Sequence, residues 1–457
     1  MTTAPARPAA GRARHAALGL LAGALLLAVP ALAEWLQPDP SYRDAQFQLR
    51  AAIRDTLGQG GNATRLDTLG VALLRLGRFE DAAKIFHRTL ELNPGDDAAE
   101  GGLGKLALFS GRLAEAESLL AAAGDEPESR ADLYAALLRR GGYARAAEMA
   151  EAMGQGGRGE LLRLMAERSA YAVEAGPEEG AVGWDRAYPV ALVRVRLNGH
   201  SVLMALDLGV TDLILDKSAA NVCKVQRLAS QSSVMWSGAR VAVTNAMAQR
   251  LEIAGYRVAN LPAGVLSLRR WSLEVNPHGE TVAGVIGVNF LRRFGATLDW
   301  KAQRLELRRP GRAYTPRAGA QRVPFELWGE SEMMVYGALA GGRRMALMLQ
   351  TGVAGCGVGA PREVFDEVGV KPGLTSRLVK GAGQFLQGRP WVAVVVPTVS
   401  VGPIVDDKVP GWSGALDSSE LWRHGVRRDA LLSNDFFTGR RVTIDWEGQM
   451  LSFEGGE

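Results

Sequence analysis

Residues 204–211 read Met-Ala-Leu-Asp-Leu-Gly-Val-Thr, and the apolar run Leu213–Leu215 follows, with Asp216 at its end. The first part is typical of an apolar strand that ends on a carboxylate, Asp207, and Gly209 allows the chain to turn at once. A second apolar strand then leaves the turn. The pattern predicts that Asp207 is held on a tight, buried loop between two strands.

A companion segment follows downstream. Residues 285–291 read Val-Ile-Gly-Val-Asn-Phe-Leu, and residues 296–300 read Ala-Thr-Leu-Asp-Trp. The turn and these two segments, in this order, resemble the Asp-Thr-Gly turn and the closing segments of the retropepsin and pepsin type of aspartic protease. Leu208 stands where that family has Thr or Ser. The resemblance implies a mainly β lobe over residues 184–310, with Asp207 as its candidate catalytic acid.

The same pattern then occurs a second time. Residues 346–353 repeat residues 203–210 at an offset of 143, and residues 432–437 and 443–446 repeat the closing segments at an offset of 146. A repeat that preserves order, spacing and residue type indicates an internal duplication. The sequence therefore predicts a second, homologous lobe over residues 321–457, and a bilobal aspartic-protease-like β domain as a whole.

The second lobe lacks its acid. In the family that the chain resembles, each lobe supplies one Asp, and the two carboxylates share a proton because they cannot both ionise. Gln350 occupies the second position and cannot titrate. The family also has a hydroxyl in each turn that bonds across to the other lobe, which Thr351 can supply and Leu208 cannot. The predicted turn and cross-lobe residues are Gly209, Thr351 and Gly352. The fold signature is thus better preserved than the catalytic one.

The N-terminus has the pattern of a secretory signal. Arg12 and Arg14 precede an uncharged apolar run over residues 16–29, and an Ala-x-Ala site ends at Ala33. Cleavage after Ala33 is expected, which predicts a periplasmic or secreted protein. The run is shorter than the ~20 residues of a membrane span, although an uncleaved N-terminal anchor is the alternative. We expect no other integral membrane segment.

Residues 41–168 have helical periodicity, with apolar spacings of three and four. Residues at seven positions fit the tetratricopeptide pattern, a helical hairpin of about 34 residues: Gly70, Leu73, Gly77, Phe79, Ala82, Phe86 and Pro94. Gly104, Gly111 and Ala116 repeat it, and a shortened unit follows from Gly141. Such arrays commonly bind a protein partner in a concave groove; alternatively, this one only packs on the β lobes.

Two segments are predicted linkers because they are rich in Gly, Glu or Pro: residues 169–183 and residues 311–320.

Each lobe has a Gly-containing segment where the family carries a flap hairpin over the cleft, because Gly permits the backbone conformation of a hairpin tip. The flap candidates are Trp236, Gly238, Gly381 and Gly383. Trp236 either lines a substrate pocket or belongs to the core. Cys223 and Cys356 are expected to be free buried thiols, with an interlobe disulfide as the alternative.

The charge and the histidine positions argue against two classes of function, nucleic-acid binding and metal binding. A net charge of +4 with no basic run gives no case for nucleic acid, and the five scattered histidines form no metal-ligand spacing. We therefore expect neither a metal nor another cofactor. Three functions remain open: a pseudoprotease that binds an extended peptide or protein in its cleft; an active endopeptidase that uses Asp207 with Gln350 or through a homodimer; and an envelope scaffold that acts through its helical repeats. The sequence does not identify substrate, partner or oligomeric state.

Overall fold

The structure is a computed structural model that describes residues 42–59, 62–234, 240–311, 314–373 and 391–455. Residues 42–457 form one compact unit. The predicted signal over residues 1–33 lies outside the described residues. Within the described ranges, no helix has both the length and the apolar character needed to cross a membrane.

The N-terminal part of this unit is helical, as predicted. Its helices are α1 Tyr42–Gln59, α2 Ala63–Arg75, α3 Phe79–Leu92, α4 Asp97–Phe109, α5 Leu113–Ala122, α6 Pro127–Arg140, α7 Tyr143–Ala152 and α8 Gly156–Arg168. Two of these helices begin at a side-chain N-cap. Asn62 accepts a hydrogen bond from the Arg65 N–H at the start of α2, and Asp96 accepts one from the Ala99 N–H at the start of α4. Consecutive helices pack against each other as hairpins.

Glycine allows the helices of this region to approach one another closely. The fully buried ring of Phe86, on α3, lies between Gly70 on α2 and Gly102 on α4. A Cβ atom at Gly70 would lie 2.5 Å from the ring and one at Gly102 would lie 2.3 Å from it. Both distances are shorter than a carbon–carbon contact permits. The small residues of the repeat pattern therefore make room for the aromatic residue of the same pattern.

The helical region packs directly on the β lobes. The Phe109 ring stacks on Trp328, with ring centroids 4.9 Å apart. The ammonium of Lys105 donates to the His424 carbonyl at 2.7 Å, and the guanidinium of Arg139 donates to the Leu327 carbonyl at 2.9 Å. These contacts come mainly from the first helix of each hairpin, so the corresponding face of the array is covered by the chain's own second lobe.

The β lobes follow the helices. The elements of lobe 1 are β1 Ala172–Ala175, β2 Glu179–Arg186, β3 Leu192–Leu197, β4 His200–Leu206, β5 Leu213–Asp216, α9 Lys217–Val222, β6 Gln226–Val234, β7 Arg240–Ile253, β8 Tyr256–Leu266, α10 Arg269–Val275, β9 Val282–Ile286, α11 Val288–Leu291, β10 Gly295–Asp299 and β11 Arg304–Arg308. Those of lobe 2 are β12 Gln321–Pro324, β13 Glu326–Trp328, β14 Glu332–Leu339, β15 Met345–Leu349, β16 Val358–Ala360, α12 Arg362–Glu367, β17 Val392–Val401, β18 Ile404–Ser413, a 3₁₀ turn Ser418–Glu420, β19 Ala430–Leu432, α13 Asn434–Phe437, β20 Arg441–Asp445 and β21 Met450–Glu454.

The two lobes share one strand arrangement. In lobe 1, β4 runs parallel to β9, β9 is antiparallel to β5, and β5 is parallel to β8. In lobe 2, β15 is parallel to β19, β19 is antiparallel to β16, and β16 is parallel to β18. The duplication read from the sequence is therefore a duplication of topology.

The lobes join at their base through the closing strands. β10 of lobe 1 pairs with β20 of lobe 2, and in this register Thr297 faces Thr443. Their buried hydroxyls lie 2.8 Å apart, so one donates to the other across the junction. The offset between the two residues is 146, that of the repeated closing segments. A continuous sheet thus connects the two lobes at this junction.

The segment 169–183, predicted as a linker, differs in the structure. It contains β1 and the first part of β2, which pair with β8 and β11. Its glycines allow close packing: a Cβ at Gly176 would lie 2.1 Å from the ring of Tyr256, and one at Gly180 would lie 1.9 Å from the Ala254 carbonyl oxygen. The glycines that suggested a linker instead permit close contact with lobe 1. The second predicted linker has no helix or strand over its described residues 314–320.

Candidate functional site

The first turn of the site follows β4. The Asp207 N–H donates to the Ile286 carbonyl on the parallel neighbour β9, at 3.1 Å, which fixes the start of the turn. The Asp207 side chain then accepts a hydrogen bond from the Gly209 N–H at Oδ1, at 2.9 Å. The carboxylate is 4% exposed. The local sequence therefore places this acid on a tight, buried turn between two strands, as the strand-turn-strand pattern predicted.

The second turn follows β15 and repeats this geometry. The Gln350 N–H donates to the Leu432 carbonyl on β19, at 2.9 Å, which is the counterpart of the Asp207 contact with β9. Gln350 is 2% exposed. Both turns thus leave the end of a buried parallel strand at the same position.

The two turns meet at the junction of the lobes. The Gln350 side-chain amide donates from Nε2 to Asp207 Oδ2 at 2.7 Å. The turn glycines make this approach sterically feasible, because a Cβ at Gly209 would lie 1.8 Å from Gln350 Oε1 and one at Gly352 would lie 2.2 Å from Asp207 Oδ2. Any larger residue at either glycine would displace the pair. The structure therefore brings together all the site residues predicted in the two turns.

Thr351 makes the hydroxyl contact that was predicted from one turn to the other, and Leu208 makes no such contact in return. Its hydroxyl accepts a hydrogen bond from the Leu208 N–H at 3.0 Å and lies 3.4 Å from the Leu206 carbonyl, to which it donates. Leu208, at the equivalent place in lobe 1, is fully buried but has no hydroxyl with which to return the bond. Of the two equivalent hydroxyl contacts between the turns, only the one from Thr351 to the lobe 1 backbone is therefore possible.

Burial raises the pKa of Asp207 to about 6. The N–H groups of Gly209, Gly352 and Thr351, together with the Thr351 hydroxyl, oppose this shift because they stabilise the charged form. The carboxyl is consequently ionised at neutral pH and takes up a proton in mildly acidic solution. Gln350 remains neutral throughout, so this pair has one titrating group.

Because only Asp207 titrates, the reactions that the Asp207–Gln350 pair can support are limited. A carboxylate with a pKa near 6 is a competent general base, and an amide N–H can stabilise a developing oxyanion. What the pair cannot do is hold one ionised and one protonated acid at the same time. Gln350 Oε1 is buried against Gly209 and has no hydrogen-bond partner within the described ranges, so one acceptor of the pair is left without a donor.

Sequence reasoning missed a set of polar residues at one side of these turns. The Asp212 carboxylate accepts hydrogen bonds from the Tyr171 hydroxyl at 2.7 Å and from the Asn289 amide at 2.8 Å. The Arg158 guanidinium, from α8, lies 3.4 Å from Asp212 and 3.1 Å from Glu330 of lobe 2. A helical-region cation therefore links both lobes beside the candidate site. No sequence spacing connects α8 with these acids.

The flap candidates are not located by the structure. Trp236, Gly238, Gly381 and Gly383 all lie outside the described residues. The strands that flank the first pair are described: β6 and β7 are antiparallel neighbours, and Val234 pairs with Arg240.

Both cysteines are free and buried, as expected from the sequence. Among the described residues, no group of three or more His, Cys, Asp or Glu side chains is placed to hold a metal ion.

Two parts of the chain match the models of known protein families. Residues 193–290, from β3 to α11, match a family model described as aspartyl protease. Residues 73–141 match a model described as tetratricopeptide repeat. One part of the chain is therefore similar to tetratricopeptide repeats and another to an aspartyl protease domain. The aspartyl protease match contains Asp207 but ends before Gln350. The predicted fold class, helical repeats followed by an aspartic-protease-like β domain, is confirmed.

A search of curated protein sequences finds no match. Among solved structures, basic 7S globulin from soybean is similar at 10% sequence identity and a TM-score of 0.36. The similarity covers 61% of this chain and 95% of the globulin chain.

Proposed function

We propose that this is an exported, aspartic-protease-like protein that binds an extended peptide or protein segment between its lobes without cutting it. The hydrogen bond from Gln350 Nε2 to Asp207 Oδ2 carries this proposal. The two-acid mechanism needs one protonated and one ionised carboxyl group, and an amide cannot exchange a proton with Asp207. The turns, glycines and strand arrangement that would support binding are kept.

Export rests on the N-terminal sequence, with its charged start, apolar run and Ala-x-Ala site. A protein partner for the helical repeats is part of the same proposal. Because the first helices of the hairpins face the β lobes, such a partner would contact the outer helices α3, α5 and α7. The scaffold function would use the same outer surface.

The test is a cleavage assay on the mature chain from Glu34 onward. The substrate is a denatured protein mixture, incubated from pH 3 to pH 7, and new peptide termini are identified by mass spectrometry. Asp207→Asn is run in parallel, with Asp125→Asn, an exposed residue of the helical region, as the matched control. We expect no termini that depend on Asp207. Termini produced by the parent and by Asp125→Asn but not by Asp207→Asn would contradict the proposal.

One contact favours an active endopeptidase as the second candidate: the Gln350 side-chain amide lies 2.7 Å from the Asp207 carboxylate, whose pKa burial raises to about 6. A single carboxylate with that pKa can take a proton from water while the Gln350 amide stabilises the oxyanion. This function predicts cleavage that increases with pH between about 5 and 7, as Asp207 ionises. A homodimeric site would require two Asp207 residues to meet, although Gln350 already occupies that contact.

A further inference from the structure

The lobes make equivalent contacts on the two sides of the Asp207–Gln350 pair. The offset of 143 that relates Asp207 to Gln350 also relates Tyr188 to Ser331. The Ser331 hydroxyl donates to the Thr211 hydroxyl at 2.8 Å, just beyond the first turn. The Tyr188 hydroxyl approaches the second turn, 3.6 Å from the place of a Cβ on Gly355. The two contacts therefore mark opposite ends of the junction between the lobes.

The helical region closes the first end and balances its charge. Asp212 lies there, with Tyr171, Asn289 and Arg158 around its carboxylate. Arg158 and Asp212 are 13% and 12% exposed, so the ion pair is largely shielded from solvent. A carboxylate in this position is stable because a cation from another part of the chain accompanies it.

The second end contains a carboxylate without that cation. The offset of 146 places Asp435 where lobe 1 has Asn289, and the offset of 143 places Gly355 where it has Asp212. Asp435 Oδ1 is buried and has no hydrogen-bond partner in the described part of the chain, and no ion pair is formed there by Asp435. Burial accordingly raises the pKa of Asp435.

An exposed aromatic ring accompanies this carboxylate. Tyr188 is 58% exposed, although its hydroxyl lies close to the second turn. The neighbours of both residues are hydrogen-bonded, since the Asn434 amide donates to the Ala187 carbonyl at 3.2 Å. The Asp435 N–H also donates to the Cys356 carbonyl at 3.2 Å, directly after the turn that the Tyr188 hydroxyl approaches. In keeping with this, burial and the nearby Asp435 raise the pKa of Tyr188. A carboxylate attracts a cation by its charge, and an exposed aromatic ring close by adds the cation–π interaction.

We infer that Asp435 and Tyr188 bind a positively charged group of the polypeptide that occupies the cleft. The ligand supplies at this end the cation that Arg158 supplies at the other. The group is the side chain of a Lys or Arg residue, or the N-terminal ammonium of the peptide. This inference rests on the proposed function, because it requires a polypeptide between the lobes.

The experiment measures retention of defined peptide pools by the immobilised chain, read by mass spectrometry. Each pool holds nine-residue peptides randomised over Ala, Leu, Phe, Gln, Ser and Val. One pool is acetylated and carries a single Lys, a second is acetylated and carries norleucine instead, and a third has a free N-terminus and norleucine. Parent, Asp435→Asn and the exposed control Asp366→Asn are compared. Asn is already the residue at the equivalent position 289, so this fold accommodates it.

We expect the parent and Asp366→Asn to retain a cationic pool about tenfold better than the acetylated norleucine pool, as a charge-assisted hydrogen bond implies. Asp435→Asn should lose this preference and still retain the norleucine pool. Preference for the first or the third pool identifies the cation as a side chain or a terminus. Equal retention of all pools by the parent, or a preference that survives in Asp435→Asn, would overturn the inference alone. No retention of any pool would overturn the proposed function itself.

Discussion

Replacing Asp207 by Asn should change the pH dependence of stability in a defined direction. The pKa of this carboxyl is raised from 3.8 to about 6 by burial. An acid with a higher pKa in the folded state loses stability as the pH rises between the unfolded and the folded value. The shift of about two units corresponds to about 3 kcal/mol at pH 7. Asparagine cannot ionise, so the variant should not incur this loss.

The assay is urea unfolding of the parent, Asp207→Asn and Asp125→Asn at pH 4, 5, 6 and 7. The free energy of unfolding of Asp207→Asn should gain up to about 3 kcal/mol on that of the parent between pH 4 and pH 7. A constant offset of about 1 kcal/mol is expected if the asparagine loses one hydrogen bond with Gly209 or Gln350. Asp125→Asn should follow the parent at every pH. A difference between Asp207→Asn and the parent that stays constant over this range would refute the reasoning.

Three further predictions concern the same region. Gln350→Asp should create Asp207-dependent cleavage at acidic pH in the assay described above, because two carboxyl groups can then share a proton; an inert variant that folds would show that the lost acid is not the decisive change. Arg158→Ala should lower the free energy of unfolding by about 3–5 kcal/mol, since it leaves two carboxylates without their cation. The exposed Arg163→Ala control should cost less than about 1 kcal/mol, and equal losses in the two variants would contradict this. Asp435→Asn should raise the free energy of unfolding at pH 7, because burial raises the pKa of this carboxyl and its Oδ1 has no hydrogen-bond partner among the described residues; a decrease measured by urea unfolding would argue against an unpaired carboxylate.

The central part of the site could be predicted from the sequence, because it is determined by short segments and their repetition. The strand-turn-strand pattern around Asp207 fixes the position of its side chain. The offset of 143 then identifies Gln350 as its counterpart before any contact is known. The glycine of each turn follows from the same reasoning, since the backbone of one turn has to lie against the side chain of the other.

The docking of the helical region could not be predicted in this way. Arg158 reaches Asp212 and Glu330 only because the array packs on both lobes, and neither period nor spacing encodes that packing. The strand pairing of residues 169–183 with lobe 1 could not be predicted for a related reason. Glycine favours flexible connections and close packing alike, and only the neighbouring Tyr256 and Ala254 distinguish them.

The contacts of Lys105, Phe109 and Arg139 with lobe 2 have a consequence for recruitment by the repeats. A free partner that sought this face would compete with a surface tethered to it in the same chain, present at an effective concentration in the millimolar range or above. Only a ligand far stronger than the usual micromolar peptide could displace it at ordinary concentrations. In this structure the repeats therefore hold the β lobes through this face, and the external partner that we propose would have to recognise their outward side.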